Sequence, residues 1–438
     1  MEEYHREGIE ELIADFVLNL RYENLDTESI HELKRRFVDS MGCAKGAYVE
    51  MKNRLLPILT HFSGNFRTLT GQKVSPDFAA FYNTYLIRYL DLNDTYFAQQ
   101  TQEFTHPSDI LGALFAIGNE IGISGKKLIE GAAVGYDLGA RLCQAGALRS
   151  IGFDYTTFLQ IATSAAVSKI LELDKQQIEN AISIALVPNV ALLETRRGKL
   201  SMWKSGASAD ASRKGTFAAL LAKEGFTGPE KPISGKYGLI NQILKKFDSD
   251  LFKDVSGAEV KNTFLKQFPA FYQAQSAIES AIKLKPIHNV DDVNKITIEA
   301  YEWLINEGAD SREKWNPKNR ETADHSIPFV VSVAMMEKRF WLDSYNLLQD
   351  QKIYSLMQKV EVVKNKDFEL FPKKLPVKIT VQLIDGKDTA YTDLPKGAPE
   401  NPMTDSELFV KAKKLGLQED TINYLMRIEE DKNINFTL

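Results

Sequence analysis

The sequence predicts a mainly α protein: a large all-helical domain and a smaller α+β domain with an antiparallel sheet. Three observations predict it. Apolar residues recur at helical spacing over roughly the first 260 positions, and short β-branched runs begin only after about Phe268. The third is length: 438 residues exceed what one small core organises, so two domains are expected.

The helices announce themselves in order. Leu33, Phe37, Met41 and Ala44 share one face, with Asp26 and Thr27 upstream as caps. Ser124 starts a second run, in which Leu128, Ala132 and Gly135 coincide. Residues 157–173 are apolar on most sides and rich in Ala and Ser, the mark of a central helix that neighbours approach closely. Asp174 and Gln177 have capping-box spacing before Ile178, Ala181, Ile182 and Ala185. Residues 205–229 are full of small side chains, which suits another tightly packed helix.

The second region reads differently. Residues 295–299 and 359–363 are β-branched, and 377–384 alternate as a half-buried strand does. Asp385-Gly386 then offers a hairpin turn before 389–392. Helical runs such as 275–284 interrupt the strands, giving an α+β arrangement. Thr404 and Glu407 form another capping box before a helix that returns towards the helical domain.

Composition excludes several functions. A net charge of -5 offers no broad cationic surface, so neither nucleic acid nor an acidic membrane is an expected partner. Cys43 and Cys143 alone supply neither a disulfide framework nor an iron–sulfur cluster. The first residues lack a signal-peptide core, and no apolar run nears the roughly 20 residues that span a bilayer, so a cytoplasmic protein is expected. His5, His31, His61, His106, His288 and His325 include no helical metal pair, and neither metal nor cofactor is expected. Gly131, Gly135 and Gly139 follow no strand, so they pack helices rather than bind a dinucleotide.

Two polar segments carry the candidate chemistry. Residues 315–329, WNPKNRETADHSIPF, hold two prolines and no apolar periodicity, and read as an ordered loop bearing His325. Residues 91–109 have the same character. There Thr105 and Ser108 flank His106 and could fix its tautomer for proton transfer, with Asp91, Asp94 and Thr95 upstream to orient it or to cap a helix. Lys204 enters a small-residue helix, where it and Arg197 or Arg213 suit a carboxylate. Lys266 precedes Phe268-Pro269 near the domain boundary, well placed to hold an anion in a cleft.

Together these pieces resemble the MmgE/PrpD superfamily, whose best-known members are 2-methylcitrate dehydratases. The resemblance covers nearly the whole chain. It rests on the Asp91 segment ending in Thr105-His106-Pro107-Ser108, on Arg197-Gly198 leading to Trp203-Lys204, and on Lys266 with Phe268-Pro269. It continues through Thr322-Ala323-Asp324-His325-Ser326-Ile327-Pro328 to Asn401-Pro402-Met403-Thr404-Asp405. It implies a helical domain of residues 1–265 and 396–438, an α+β lid of residues 266–395, a site between them, and a metal-free homodimer. It also places Asp91, Thr95 and His106 on the family's active-site loop, Lys204 and Lys266 on its two lysines, and His325 in its Asp-His segment. The aconitate decarboxylase branch carries histidines where this chain has Asp154 and Phe271, so the resemblance points to the dehydratase side.

The expected chemistry is dehydration of a small hydroxy-polycarboxylate. Lys204, Lys266 and Arg197 would hold its carboxylates, His106 would be the leading acid–base group with Asp91 as orienter, and a lysine or Tyr155 would be its partner. An epimerase or another lyase of the superfamily is the nearest rival. A non-catalytic scaffold would instead scatter Asp91, His106, Lys204, Lys266 and His325.

Overall fold

The computed structural model describes residues 8–254, 256–368 and 374–438; His5 lies outside them. Local chemistry sets the helix ends. Asp26 precedes helix Thr27–Leu59 and accepts from Ser29 N at 2.7 Å. Ser124 caps Gly125–Ala145 by accepting from Lys127 N at 3.2 Å. Asp174 with Gln177, and Thr404 with Glu407, close capping boxes on Lys175–Leu186 and Asp405–Lys414. Each cap satisfies N–H groups that a first turn leaves without partners.

Helix Thr156–Ile170 is central, with every residue buried. Helix Trp203–Lys223 crosses it at Gly215, where a Cβ would meet the Gln160 carbonyl oxygen at 2.7 Å. Only glycine allows that approach, and it brings the first turn of the helix, with Lys204, inside. Helix Asp405–Lys414 returns to Thr27–Leu59 and packs Ala412 on Gly42. Cys43 and Cys143 are buried free thiols. Among the described residues, no helix is long and apolar enough to cross a membrane.

Two apolar cores result. One gathers residues 9–265 with 403–436, and the other gathers residues 264–398. The second is built on a four-stranded sheet in the order Val360–Lys364, Val293–Ala300, Val377–Leu383, Gly386–Thr392. Its last two pairings are antiparallel, as expected, but Val293–Ala300 and Val360–Lys364 run parallel. The sheet is therefore mixed. The intervening chain passes through several helices, a crossover long enough to bring a strand back in the same direction.

The two polar segments also differ from simple loops. Residues 91–109 contain a hairpin of Tyr96–Ala98 with Glu103–Thr105, because Tyr96, Phe97 and Phe104 favour a pleated surface and Gln102 turns at a φ of 54°. Residues 315–329 contain the helical turn Arg320–Ala323, and then Ser326 caps helix Ile327–Glu337. Pro328 sits in that first turn, where its missing N–H costs nothing. Between the cores, Thr95 and Phe264 exchange backbone hydrogen bonds at 3.0 and 2.7 Å, which sets Lys266 beside Asp91.

Candidate active site

Asp91 follows helix Pro76–Tyr89 with a φ of 51°, in the left-handed region that few side chains other than Asn and Asp tolerate. Such strain clusters at functional positions. Its carboxylate is fully engaged. Oδ1 accepts from Arg88 Nη1 at 2.8 Å and Lys266 Nζ at 2.5 Å, and Oδ2 accepts from Lys204 Nζ at 3.1 Å. All four residues are buried. Burial alone would push the Asp91 carboxyl up, but Arg88, Lys204 and Lys266 outweigh it and hold it well below the usual carboxylate range.

Lys204 also donates to Asp324, whose other oxygen faces His325 Nδ1. Burial would raise the Asp324 carboxyl; Lys204 and His325 hold it low. A carboxylate accepts only, so His325 Nδ1 carries the hydrogen and Nε2 is the nitrogen left for a substrate. The ring stacks on Phe271, with centroids 4.9 Å apart. Burial lowers the His325 pKa to about 4, so the imidazole is neutral at pH 7.

His106 is held differently from expectation. Its Nδ1 lies 2.6 Å from the Asp94 carbonyl oxygen and 3.1 Å from Thr95 Oγ1, and Nε2 lies 3.0 Å from Arg88 Nη2. A guanidinium only donates, so His106 Nε2 accepts and its basic lone pair is taken. Burial, with Arg88 and Lys266 nearby, pushes its pKa well down. Asp91 is thus not the group that orients His106; the Asp94 main chain, Thr95 and Arg88 are.

Arg88, Asp91, Thr95, His106, Lys266, Phe271 and His325 line one cavity of about 30 Å³, together with Phe104, Arg196, Tyr272, Gln273 and Glu307. A larger hollow of about 320 Å³ borders Thr95 and Tyr272 but carries neither histidine. The small cavity carries both His106 and His325. Lys204 lies beneath it, on Asp91 and Asp324.

Three expected residues stand elsewhere. Tyr155 is behind His106: its hydroxyl meets Ser208 Oγ at 2.8 Å and Asp109 at 3.3 Å, and its ring meets the imidazole edge-on. Arg197 is ion-paired with Glu307 at 3.2 Å, and the cavity is lined instead by Arg196, bound to Asp154 at 2.8 Å. Arg213 pairs with Asp210 at 2.8 Å. Sequence reasoning missed Arg88, Arg196 and Glu307, and gave Asp324 no role beyond its place beside His325. Arg88 stands one helical turn before Asp91, and Asp324 adjoins His325; those spacings were the available clues.

Asp91, Asp324 and His325 also bring ligand atoms within 4.8 Å of one another, a grouping able to hold a cation. Here ammonium and guanidinium groups already occupy the carboxylate oxygens. The donor set suits lysine rather than a metal ion.

The sequence model of the MmgE/PrpD N-terminal domain matches residues 11–251, and that of the MmgE/PrpD C-terminal domain matches residues 268–418. The chain is similar to the mitochondrial 2-methylcitrate dehydratase of Yarrowia lipolytica, 28% identical over 384 residues, covering 81% of this chain and 72% of that protein. It is 27% identical to 2-methylcitrate dehydratase of Escherichia coli over 414 residues, 88% and 84% of the two chains. An alkylcitrate dehydratase of a fungal species is 24% identical over 440 residues, 90% and 84% of the two.

Proposed function

This chain belongs to the MmgE/PrpD family, and from that premise we propose that it is a carbon–oxygen lyase: a metal-independent dehydratase that converts 2-methylcitrate to 2-methylaconitate. One observation carries the reading. Two buried carboxylates, Asp91 and Asp324, are bridged by Lys204, and the bridge holds a neutral His325 at the wall of a cationic cavity.

The chemistry follows from those groups. Arg88, Arg196 and Lys266 meet the substrate's carboxylates through charge-assisted hydrogen bonds. Cations beside a carboxylate stabilise the charge that develops when the adjacent carbon loses its proton. His325 Nε2 takes that proton. The carbon–oxygen bond then breaks, the electron pair of the former C–H bond becomes the double bond, and the departing oxygen takes a proton from Lys266 Nζ and leaves as water. Burial lowers the Lys266 pKa to about 8, near the range that suits a proton donor at neutral pH. His106 serves as a neutral support that fixes Arg88 and hence Asp91.

Two further parts belong to this reading. A cavity of about 30 Å³ has room for only a few waters, so the two cores part to admit a tricarboxylate. A homodimer fits Trp203 and Phe217, both about half exposed and about four turns apart on one face of their helix. Light scattering that returns a monomer mass would remove that element.

Incubation with 2-methylcitrate, citrate and cis-aconitate, followed by product mass and chirality, tests the assignment. Loss of one water is expected. Unchanged mass with inverted chirality would make the chain an epimerase, and loss of carbon dioxide would make it a decarboxylase.

A further inference from the structure

Glu307 is an anion in a cavity proposed to receive polyanions. It lines the cavity, and its Oε1 accepts from both Arg149 Nη2 and Arg197 Nη1. Neither arginine lines the cavity, so Glu307 is the group through which they meet it. The pairing also spans the cores. Glu307 belongs to helix Glu302–Gly308 in the second, whereas Arg149 opens the 3-10 turn Arg149–Ile151 and Arg197 follows the 3-10 turn Leu193–Arg196, both in the chain that builds the first.

Arg149 keeps its place without Glu307. Its guanidinium lies over the ring of Phe104, 5.1 Å from the centroid, and Phe104 lines the cavity. Its backbone N donates to Glu103 at 2.8 Å. Arg197 is the more exposed partner, at 37% of its side chain, and can exchange anions readily. Two guanidinium forks converging on one oxygen form a ready carboxylate site. The protein's own carboxylate fills it.

We propose that Arg149 and Arg197 form a carboxylate subsite at the Glu307 wall of the cavity, and that Glu307 occupies it in the empty enzyme. An arriving carboxylate replaces Glu307, which releases helix Glu302–Gly308 and lets the cores part. The inference rests on the polycarboxylate reading given above.

The test is calorimetric binding of propane-1,2,3-tricarboxylate, which has no hydroxyl to lose. Glu307→Gln removes the competing charge and should tighten binding about three- to tenfold, the scale of one partly screened ion pair. Arg197→Gln, at a half-exposed position that tolerates substitution, should weaken it by a similar factor. In the double variant the gain from Glu307→Gln should shrink. Unchanged or weaker binding by Glu307→Gln, or unchanged binding by Arg197→Gln, overturns the subsite; if Glu307→Gln does not fold, Arg197→Gln decides alone. A parent protein that turns over 2-methylcitrate but gives this pattern loses only the subsite. A parent that neither binds the tricarboxylate nor dehydrates 2-methylcitrate loses both readings.

Discussion

Lys204 donates to Asp324 across 120 positions of sequence, and the same ammonium group reaches Asp91 at 3.1 Å. One buried cation thus joins the carboxylate that holds His325 to the carboxylate that gathers Arg88 and Lys266. The arrangement is structural before it is chemical.

Lys204→Met should therefore destabilise the fold and not merely weaken substrate capture. Removing one member of a buried ion pair typically costs about 3–5 kcal/mol, because the remaining charge is left without compensation. Denaturant unfolding of parent and variant measures it. A loss below about 1 kcal/mol would show that Asp91 and Asp324 do not depend on this lysine.

His325→Gln should lower kcat by about 10²–10⁴-fold, the usual contribution of a positioned base, with circular dichroism unchanged. Parental turnover in the folded variant would take His325 out of the proton transfer.

The pH dependence of kcat/KM should form a bell. His325 acts as a base only when neutral, so activity rises as pH climbs through about 4. Lys266 acts only when charged, so activity falls through about 8. A profile flat from pH 6 to pH 10 would contradict the lysine role.

Asp91 makes a separate prediction about stability. Its folded pKa lies well below the unfolded value of about 3.9, so its contribution is complete above that value and fades as pH falls through the folded one. Asp91→Asn should be much less stable than parent at pH 7, and the gap should narrow on acidification below about pH 4. Thermal unfolding across pH 3–7 reads it; a gap that widens in acid would reverse the assigned sign.

Local elements were legible because their causes are local. Asp26, Ser124, Asp174 and Thr404 each cap an N–H three residues on, which spacing reveals. The parallel pairing of Val293–Ala300 with Val360–Lys364 was not, since β-branched runs carry no direction. The fold gathers Asp91, Thr95, His106, Lys204, Lys266 and His325, all singled out from the sequence, but Arg88, which joins Asp91 to His106, was not among them. Arg88 read as an ordinary charge, and Asp324 only as the neighbour of His325, until the fold set them on Asp91 and Lys204. Arg196 and Arg197 are adjacent in sequence, and only backbone geometry decides that Arg196 faces the cavity while Arg197 turns to Glu307.

The most direct measurement is turnover of 2-methylcitrate by the purified protein with and without a strong chelator, with the product identified by mass. Loss of one water at equal rates in both conditions is expected. Absence of that product, or activity that disappears on chelation and returns with a divalent cation, would contradict a dehydratase built on lysine-bridged carboxylates.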